Sequence, residues 1–130
     1  MDVRDAVEAD AARLAELTES PEDVMRNLVH DRTVRVSVED DGDGIVGFVS
    51  FDAQAGTVYV TQLEGPPAAC SCLLEEPLRF AENESMAVEL LVAADDRSTR
   101  DAARDAAFEE TGTGPRFEGT ETVRYRWSPS

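Results

Sequence analysis

The first part of the chain carries apolar residues at a helical spacing. A short strand is expected at Val3, and the apolar positions over 8–17 recur mainly every three to four residues, which predicts a first helix. Ser20-Pro21 and the two acids after it are typical of an N-cap, a first helical position and an acidic first turn. They predict a second helix that ends near His30-Asp31.

The middle of the chain changes to the two-residue period of strands. Valines first alternate with polar residues, and two runs rich in β-branched residues follow, each after a turn that contains glycine. Strands joined by short turns pair antiparallel, so this part predicts an antiparallel sheet. The predicted strands are 34–38, 45–51 and 57–63, and the predicted turns are 41–44 and 55–56.

Helices and strands alternate in the last part of the chain. The apolar pattern over 68–81 predicts a helix, and Pro77 is expected to kink or break it, because proline costs about 3 kcal/mol in a helix interior. Glu89 alone interrupts the apolar run 86–92, which predicts a strand buried on both faces. A helix over 98–108 and a final strand over 122–127 follow, with Arg116-Phe117 as a candidate pairing segment before that strand.

Acidic residues outnumber basic ones along the whole chain. There are 28 aspartates and glutamates against 12 basic residues, all of them arginine, and the net charge is −16. The acids are spread out, which indicates a solvated surface. At about 1 M salt the Debye length is roughly 3 Å, so repulsion between such charges becomes short-ranged. These features predict a cytoplasmic protein of an extreme halophile; an acidic protein from an ordinary cell would explain the charge but not the missing lysine.

Several classes of protein are disfavoured by the same composition. The arginines are scattered and form no basic stripe, so nucleic-acid binding is not expected. No apolar run approaches the roughly 20 residues that cross a membrane, and the first residues lack the character of a signal peptide. Cys70, Cys72 and His30 offer at most three soft ligands where structural zinc takes four, so no metal is expected.

The order of elements carries a family resemblance. That order, β-α-α-β-β-β-α-β-α-β-β, with Gly-Ile-Val-Gly-Phe-Val at 44–49, Leu73-Leu74, Phe80-Ala81 and Ala106-Ala107-Phe108, resembles the GNAT family of acyl-CoA-dependent N-acetyltransferases along nearly the whole chain. The resemblance implies one α/β domain of the α+β type over 1–130, with a mixed, mostly antiparallel central sheet of six to seven strands flanked by about four helices. It also implies acetyl-CoA as donor, a small-molecule amine or a protein N-terminus as acceptor, and allows a homodimer.

In that family the sheet splays apart after its fourth strand, and the pantetheine chain of acyl-CoA enters the gap. The pyrophosphate sits at the turn into the next helix, where free backbone N–H groups and the positive end of the helix dipole face it. The family's loop, Gln/Arg-x-x-Gly-x-Gly/Ala, aligns here either with 65–70 or with 62–67, and Pro66 and Pro67 lack an N–H in both alignments. If Pro67 opens the helix, the remaining donors are the next four amides. The candidate cofactor-binding residues are Leu63, Gly65, Ala68, Ala69, Cys70 and Ser71. The alternative is that 65–67 is only a stiff connector.

The resemblance also assigns places to the catalytic groups. The tyrosine that often serves the family as general acid corresponds to Ala103, so Tyr59, Tyr125 or a water would have to replace it. Glu64 and Glu89 are the candidate bases, and Glu89 is favoured because a carboxylate within an apolar run favours its neutral form. The candidate catalytic residues are Glu89, Glu64 and Tyr125. The alternative function is a catalytically inactive module with this fold that binds a small molecule or a protein.

Overall fold

The computed structural model describes residues 2–39, 44–116 and 119–129. Its strands and helices follow one another in the predicted order, with a single 3-10 turn at Glu8–Asp10 before the first helix. The predicted turn 41–44 lies largely outside the described residues. The elements are β1 (Asp2–Asp5), α1 (Ala11–Thr18), α2 (Glu22–Asp31), β2 (Thr33–Val38), β3 (Ile45–Gln54), β4 (Thr57–Glu64), α3 (Pro67–Glu84), β5 (Ala87–Ala93), α4 (Arg97–Asp105), β6 (Glu109–Thr113) and β7 (Thr122–Trp127).

The strands form one seven-stranded sheet in the order β1-β2-β3-β4-β5-β7-β6. All neighbouring strands pair antiparallel except β4 and β5, which are parallel. A parallel pair needs a crossover connection, and α3 provides it. The predicted α/β fold with a mixed, mostly antiparallel sheet is therefore confirmed.

Two apolar cores cover opposite faces of this sheet. Neighbouring residues of a strand point to opposite faces, and in β3 Val49 packs into one core whereas Phe48 packs into the other. Helices α3 and α4 cover the Val49 face. On the Phe48 face, α1 and α2 contact β2 and β3. The same face of β4, β5 and β7 forms the floor of a groove.

The predicted break at Pro77 is wrong, because α3 runs through it without interruption from Pro67 to Glu84. Proline removes one helical hydrogen bond, but here the ring is fully buried on the face that packs against the sheet. Leu73, Leu74 and Ala81 are buried along the same helix. Burial of this face outweighs the local cost of proline, as tertiary packing commonly does.

Other features also differ from the sequence predictions. The strand before β7 is β6 at Glu109–Thr113, and Arg116 lies outside it, while Phe117 is outside the described residues. This edge strand is exposed along its whole length, so no apolar alternation marks it. Pro21, not Ser20, occupies the N-cap of α2. The strand β5 is buried on one face only, since Leu91 is exposed between Leu90 and Val92.

Candidate functional site

The parallel strands β4 and β5 pair over only part of their length. Their register ends at Val60 and Leu90, whereas β4 continues to Glu64 and β5 to Ala93. A bulge in β4 leaves Thr61 without a register partner on β3 as well. The two strands therefore separate into a gap, which is the splay that the family resemblance implies.

A groove of about 650 Å³ lies beside the start of this gap. Tyr59 and Glu89 stand next to each other in the parallel register, one residue before the last paired position. Tyr59 is 39% exposed, so its ring is open to a molecule in the groove. The groove thus brings a phenol and a carboxylate to the point where the strands part. The remaining lining residues are Val60, Thr61, Leu91, Ala93, Thr120, Thr122 and Arg124.

Two arginines of β7 hold the carboxylate of Glu89. Its Oε1 lies 3.5 Å from Nε of Arg124, and its Oε2 lies 3.4 Å from Nη1 of Arg126. The side chain of Glu89 keeps 20% of its surface exposed. The apolar surroundings expected for Glu89 are therefore wrong: the strand is open on this face, and the charge has cationic partners.

Helix α3 begins at Pro67, as predicted, with Pro66 at its N-cap. The N–H of Cys70 donates to the carbonyl oxygen of Pro66 at 3.0 Å, so it is already used. The N–H of Ser71 falls in the next position, where the helical pattern directs it to the carbonyl of Pro67. The prediction of Cys70 and Ser71 as donors is thus wrong, because both amides belong to the helix. The N–H groups of Ala68 and Ala69 have no partner within the helix, but Ala68 is exposed whereas Ala69 is fully buried.

The loop before α3 is shaped by contact between two glycines. Gly65 has a φ of +135°, and a Cβ added there would lie 3.1 Å from Cα of Gly47. A Cβ on Gly47 would collide with the carbonyl oxygen of Glu64. Leu63 packs against the α3 core and also lines the gap. Gly65 is therefore required for the path of the chain toward Ala68 and Ala69.

Two carboxyl groups line the gap near this helix start, Glu64 and Asp96. Burial, and to a lesser extent the charge of Asp96, raise the pKa of Glu64. Asp96 caps α4, since its Oδ1 accepts from the N–H of Thr99 at 3.1 Å and its Oδ2 from the Thr99 hydroxyl at 2.7 Å. Burial and the same two carboxylates raise the pKa of Cys70 to about 11, so its thiol stays protonated and unreactive at neutral pH.

Tyr125 lies on the core face of the sheet, away from the groove. Its side chain is fully buried, and its hydroxyl accepts a hydrogen bond from Nε of Arg100 at 3.0 Å. The same hydroxyl lies 3.5 Å from Oε1 of Glu110. This position leaves Tyr125 no access to a molecule in the groove. Of the two tyrosines considered, Tyr59 is the one that the structure places beside Glu89.

The sequence prediction did not include the cationic partners of Glu89, and it chose Tyr125 as the candidate tyrosine, whereas Tyr59 is the one that lines the groove. Both depend on register between strands far apart in sequence, which no local pattern shows. One local signal existed: Tyr59, Glu89 and Arg124 each occupy an alternate, outward position of a strand with buried neighbours.

In the ranges that the structure describes, no group of three or more His, Cys, Asp or Glu side chains is arranged to hold a metal ion, and no helix is long and apolar enough to span a membrane.

Comparison with solved structures identifies the fold. The chain superposes on the ribosomal-protein-alanine N-acetyltransferase of Brucella melitensis with a TM-score of 0.81 and 15% identity, covering 98% of this chain and 99% of that one. It matches an acetyltransferase of Salmonella typhimurium, solved with its cofactor acetyl-CoA, with a TM-score of 0.82 and 16% identity over 100% and 94%.

A GNAT-family acetyltransferase of Bacillus cereus gives a TM-score of 0.79 with 14% identity over 99% and 97% of the two chains. No family model and no curated protein sequence matches the chain. The similarity to the solved structures shows that this protein has the GNAT fold.

Proposed function

We propose that this protein is an N-acetyltransferase that transfers the acetyl group of acetyl-CoA to an amine. One observation carries the proposal: the gap between β4 and β5 has the free amides of α3 at its outer end and Tyr59 with Glu89 at its inner end. The gap thus joins a position for an anion to a position for proton transfer. The shared fold with acetyltransferases, one of them solved with acetyl-CoA, supports this assignment.

The residues present fit the parts of acetyl-CoA. Pantetheine is a narrow chain with two amides, and the separated ends of β4 and β5 offer backbone groups that lack a partner on the opposite strand. Ala68, exposed in the first turn of an 18-residue helix, offers an N–H group to a diphosphate, and the N–H of buried Ala69 follows it along the chain. Glu64 is the opposing group, and its raised pKa means that it sheds its negative charge more readily than an exposed glutamate.

The chemistry requires an amine to attack the thioester carbonyl, so that a C–N bond forms, the C–S bond breaks and the sulfur takes up a proton. Glu89 accepts the proton of the acceptor amine, directly or through one water. Tyr59 donates a proton to the departing sulfur. Thr61 has no register partner at the bulge, although its hydroxyl bonds to Ser50, and its backbone N–H would stabilise the negative charge that develops on the carbonyl oxygen.

The acceptor enters through the groove in this proposal. The groove is open to solvent and lined by hydroxyl, apolar and charged side chains, which suits an amine on a small molecule or at a protein N-terminus. One structural relative carries ribosomal-protein alanine in its name as the acceptor. The two acceptor classes are distinguished by assaying peptides with free and blocked N-termini beside small amines.

Binding of acetyl-CoA is the first test. A ligand that binds only the folded state adds about 2.7 kcal/mol of stability at 100 times its Kd, which thermal unfolding in multimolar salt detects. Ala68→Pro removes one of the two free amides at an exposed position, and Ala68→Ser, its matched control, keeps it. We expect the shift in the wild type and the serine variant, and a smaller shift in the proline variant. No shift in the wild type would contradict the proposal.

The two prolines favour a second candidate, a module of the same fold without catalysis. Pro66 and Pro67 reduce the amides available to the diphosphate, and Glu64 with Asp96 adds negative charge nearby. Such a module would bind a small molecule or a protein in the groove. Release of free coenzyme A thiol in the presence of an amine separates the candidates, because only the enzyme produces it.

A further inference from the structure

Helix α4 carries a row of arginines. Arg97, Arg100 and Arg104 follow at intervals of three and four residues, which places them on one side of the helix. With Asp101 they line a surface cavity of about 350 Å³. We call these three residues the arginine row. Three of the 12 arginines of a strongly acidic chain thus gather on one nine-residue helix.

Arg97 differs from the other arginines in its partners. Eleven of the 12 lie within 4.0 Å of a carboxylate. Arg97 has no such partner in the part of the chain that the structure describes, although acids outnumber arginines more than twofold. An exposed guanidinium that this sequence leaves without a carboxylate is available to an anion from solution.

The second arginine of the row is fixed in place. Arg100 donates to the Tyr125 hydroxyl at 3.0 Å, to the carbonyl of Ala94 at 2.9 Å and to Glu110 at 3.1 Å. Arg104 has looser contacts, 3.4 Å to Asp101 and 3.9 Å to Glu110. The side chains that line the cavity are three arginines and one aspartate, so its lining carries a positive balance. A guanidinium held in one orientation loses little freedom on binding an anion.

The row begins at the outer end of the gap. Because β4 and β5 are parallel, the helices that follow them, α3 and α4, begin at the same edge of the sheet, and they pack against each other. Asp96 lines the gap together with Glu64, and Arg97 is the next residue along the chain. A molecule that leaves the gap past the start of α3 therefore meets Arg97 at the start of α4, whereas Arg100 and Arg104 lie further along the helix, toward Glu110 of β6.

We infer that the arginine row binds the phosphomonoester at the nucleotide end of coenzyme A. This inference rests on the proposed function. Coenzyme A carries a diphosphate and, beyond it, a separate phosphate on the ribose. Guanidinium groups bind phosphate oxygens through paired, charge-assisted hydrogen bonds. The row would supply side-chain cations to an anionic coenzyme at a helix start where Pro66 and Pro67 lack an N–H.

Coenzyme A and dephospho-coenzyme A test the inference, since they differ only in that phosphate. Their dissociation constants are measured by calorimetry in multimolar potassium chloride for the wild type, Arg97→Gln and Arg79→Gln. Arg79 is an exposed arginine of α3 that pairs with Glu76, so its substitution makes the same change of charge elsewhere. We expect the wild type and Arg79→Gln to bind coenzyme A roughly 10-fold more tightly than dephospho-coenzyme A. Arg97→Gln should bind the two nearly equally.

Each other outcome has a definite meaning. Equal binding of the two ligands by the wild type would overturn the inference and leave the proposed function in place. Full preference of Arg97→Gln for coenzyme A would overturn the inference in the same way. Failure of both ligands to bind would contradict the proposed function itself, and the inference with it.

Discussion

Glu64 lies in the gap and lowers the stability of the folded protein when it is ionised. It lines the gap beside Asp96, and its pKa is raised above the ordinary value of 4.5, first by burial and then by the charge of Asp96. A raised pKa in the folded state means that the unfolded chain releases the proton more easily. Ionised Glu64 therefore lowers the free energy of unfolding, and the loss grows as the pH rises from below 4.5 through the raised pKa.

The substitution Glu64→Gln should remove this loss. We expect the variant to be more stable than the wild type at neutral pH and equally stable at acid pH, where Glu64 is protonated anyway. Chemical denaturation across that pH range, at constant high salt, measures the difference. Glu75→Gln, at an exposed position of α3, is the matched control and should show no such pH-dependent gain. Equal stability of Glu64→Gln and wild type at neutral pH would contradict the assignment.

Tyr59 and Glu89 should affect turnover and not coenzyme binding. They lie at the inner end of the gap, where proton transfer is proposed, and neither contacts the start of α3. Tyr59→Phe and Glu89→Gln should each lower kcat by about 10²- to 10⁴-fold, the usual contribution of general acid–base catalysis. Acetyl-CoA binding, followed by calorimetry, should change little. A kcat for both variants equal to that of the wild type would exclude this pair from the mechanism.

At the scale of elements, the start of α3 is where a substitution should increase the affinity for acetyl-CoA. Pro67 occupies the first helical position, where any other residue would carry a free N–H. Pro67→Ala should therefore add a third donor to Ala68 and Ala69. Hydrogen bonds to charged groups contribute about 1.5 to 3 kcal/mol, so acetyl-CoA should bind about 10-fold more tightly or better.

A matched control for this prediction lies on the same helix. Pro77→Ala makes the same change ten residues further on, inside α3 and far from its free amides. Calorimetric titration of both variants with acetyl-CoA should show tighter binding for Pro67→Ala only. Unchanged or weaker binding by Pro67→Ala would indicate that the diphosphate does not lie at this helix start.

Local patterns predicted the order of elements because most strands and helices bury one face. They failed for an element that has no buried face, and where tertiary packing outweighs the local free-energy cost of a residue. The exposed strand β6 shows the first case and the continuous helix through Pro77 the second. For the site, the sequence predicted the gap region and Glu89, but not Arg124 and Arg126, which reach Glu89 only through the pairing of β5 with β7.

For the whole molecule, the net charge of −16 dominates the response to solvent. Nearly every arginine is already paired, so most of the acidic excess faces water or other acids. We propose that the surface is adapted to the cytoplasm of an extreme halophile. Salt at about 1 M limits the repulsion to roughly 3 Å, whereas low salt lets it act across the surface.

The thermal midpoint should therefore rise steeply as potassium chloride is increased from the millimolar to the molar range. Sucrose, which strengthens burial without screening charge, separates the electrostatic part from the general effect of a cosolute. We expect sucrose in low salt to recover only a small part of the stability. A midpoint that is highest in low salt would contradict the proposed adaptation.

The short pairing of β4 with β5 also has a mechanical consequence. Four register positions, ending at Val60 and Leu90, connect the half of the sheet that contains β1 to β4 with the half that contains β5 to β7. The two parts of the sheet are thus joined by a short stretch of strand pairing and by α3, which connects β4 to β5. A molecule that forms hydrogen bonds with both β4 and β5 in the gap would add connections between the two parts of the sheet. Part of the free energy of binding would then stiffen the sheet around Tyr59 and Glu89.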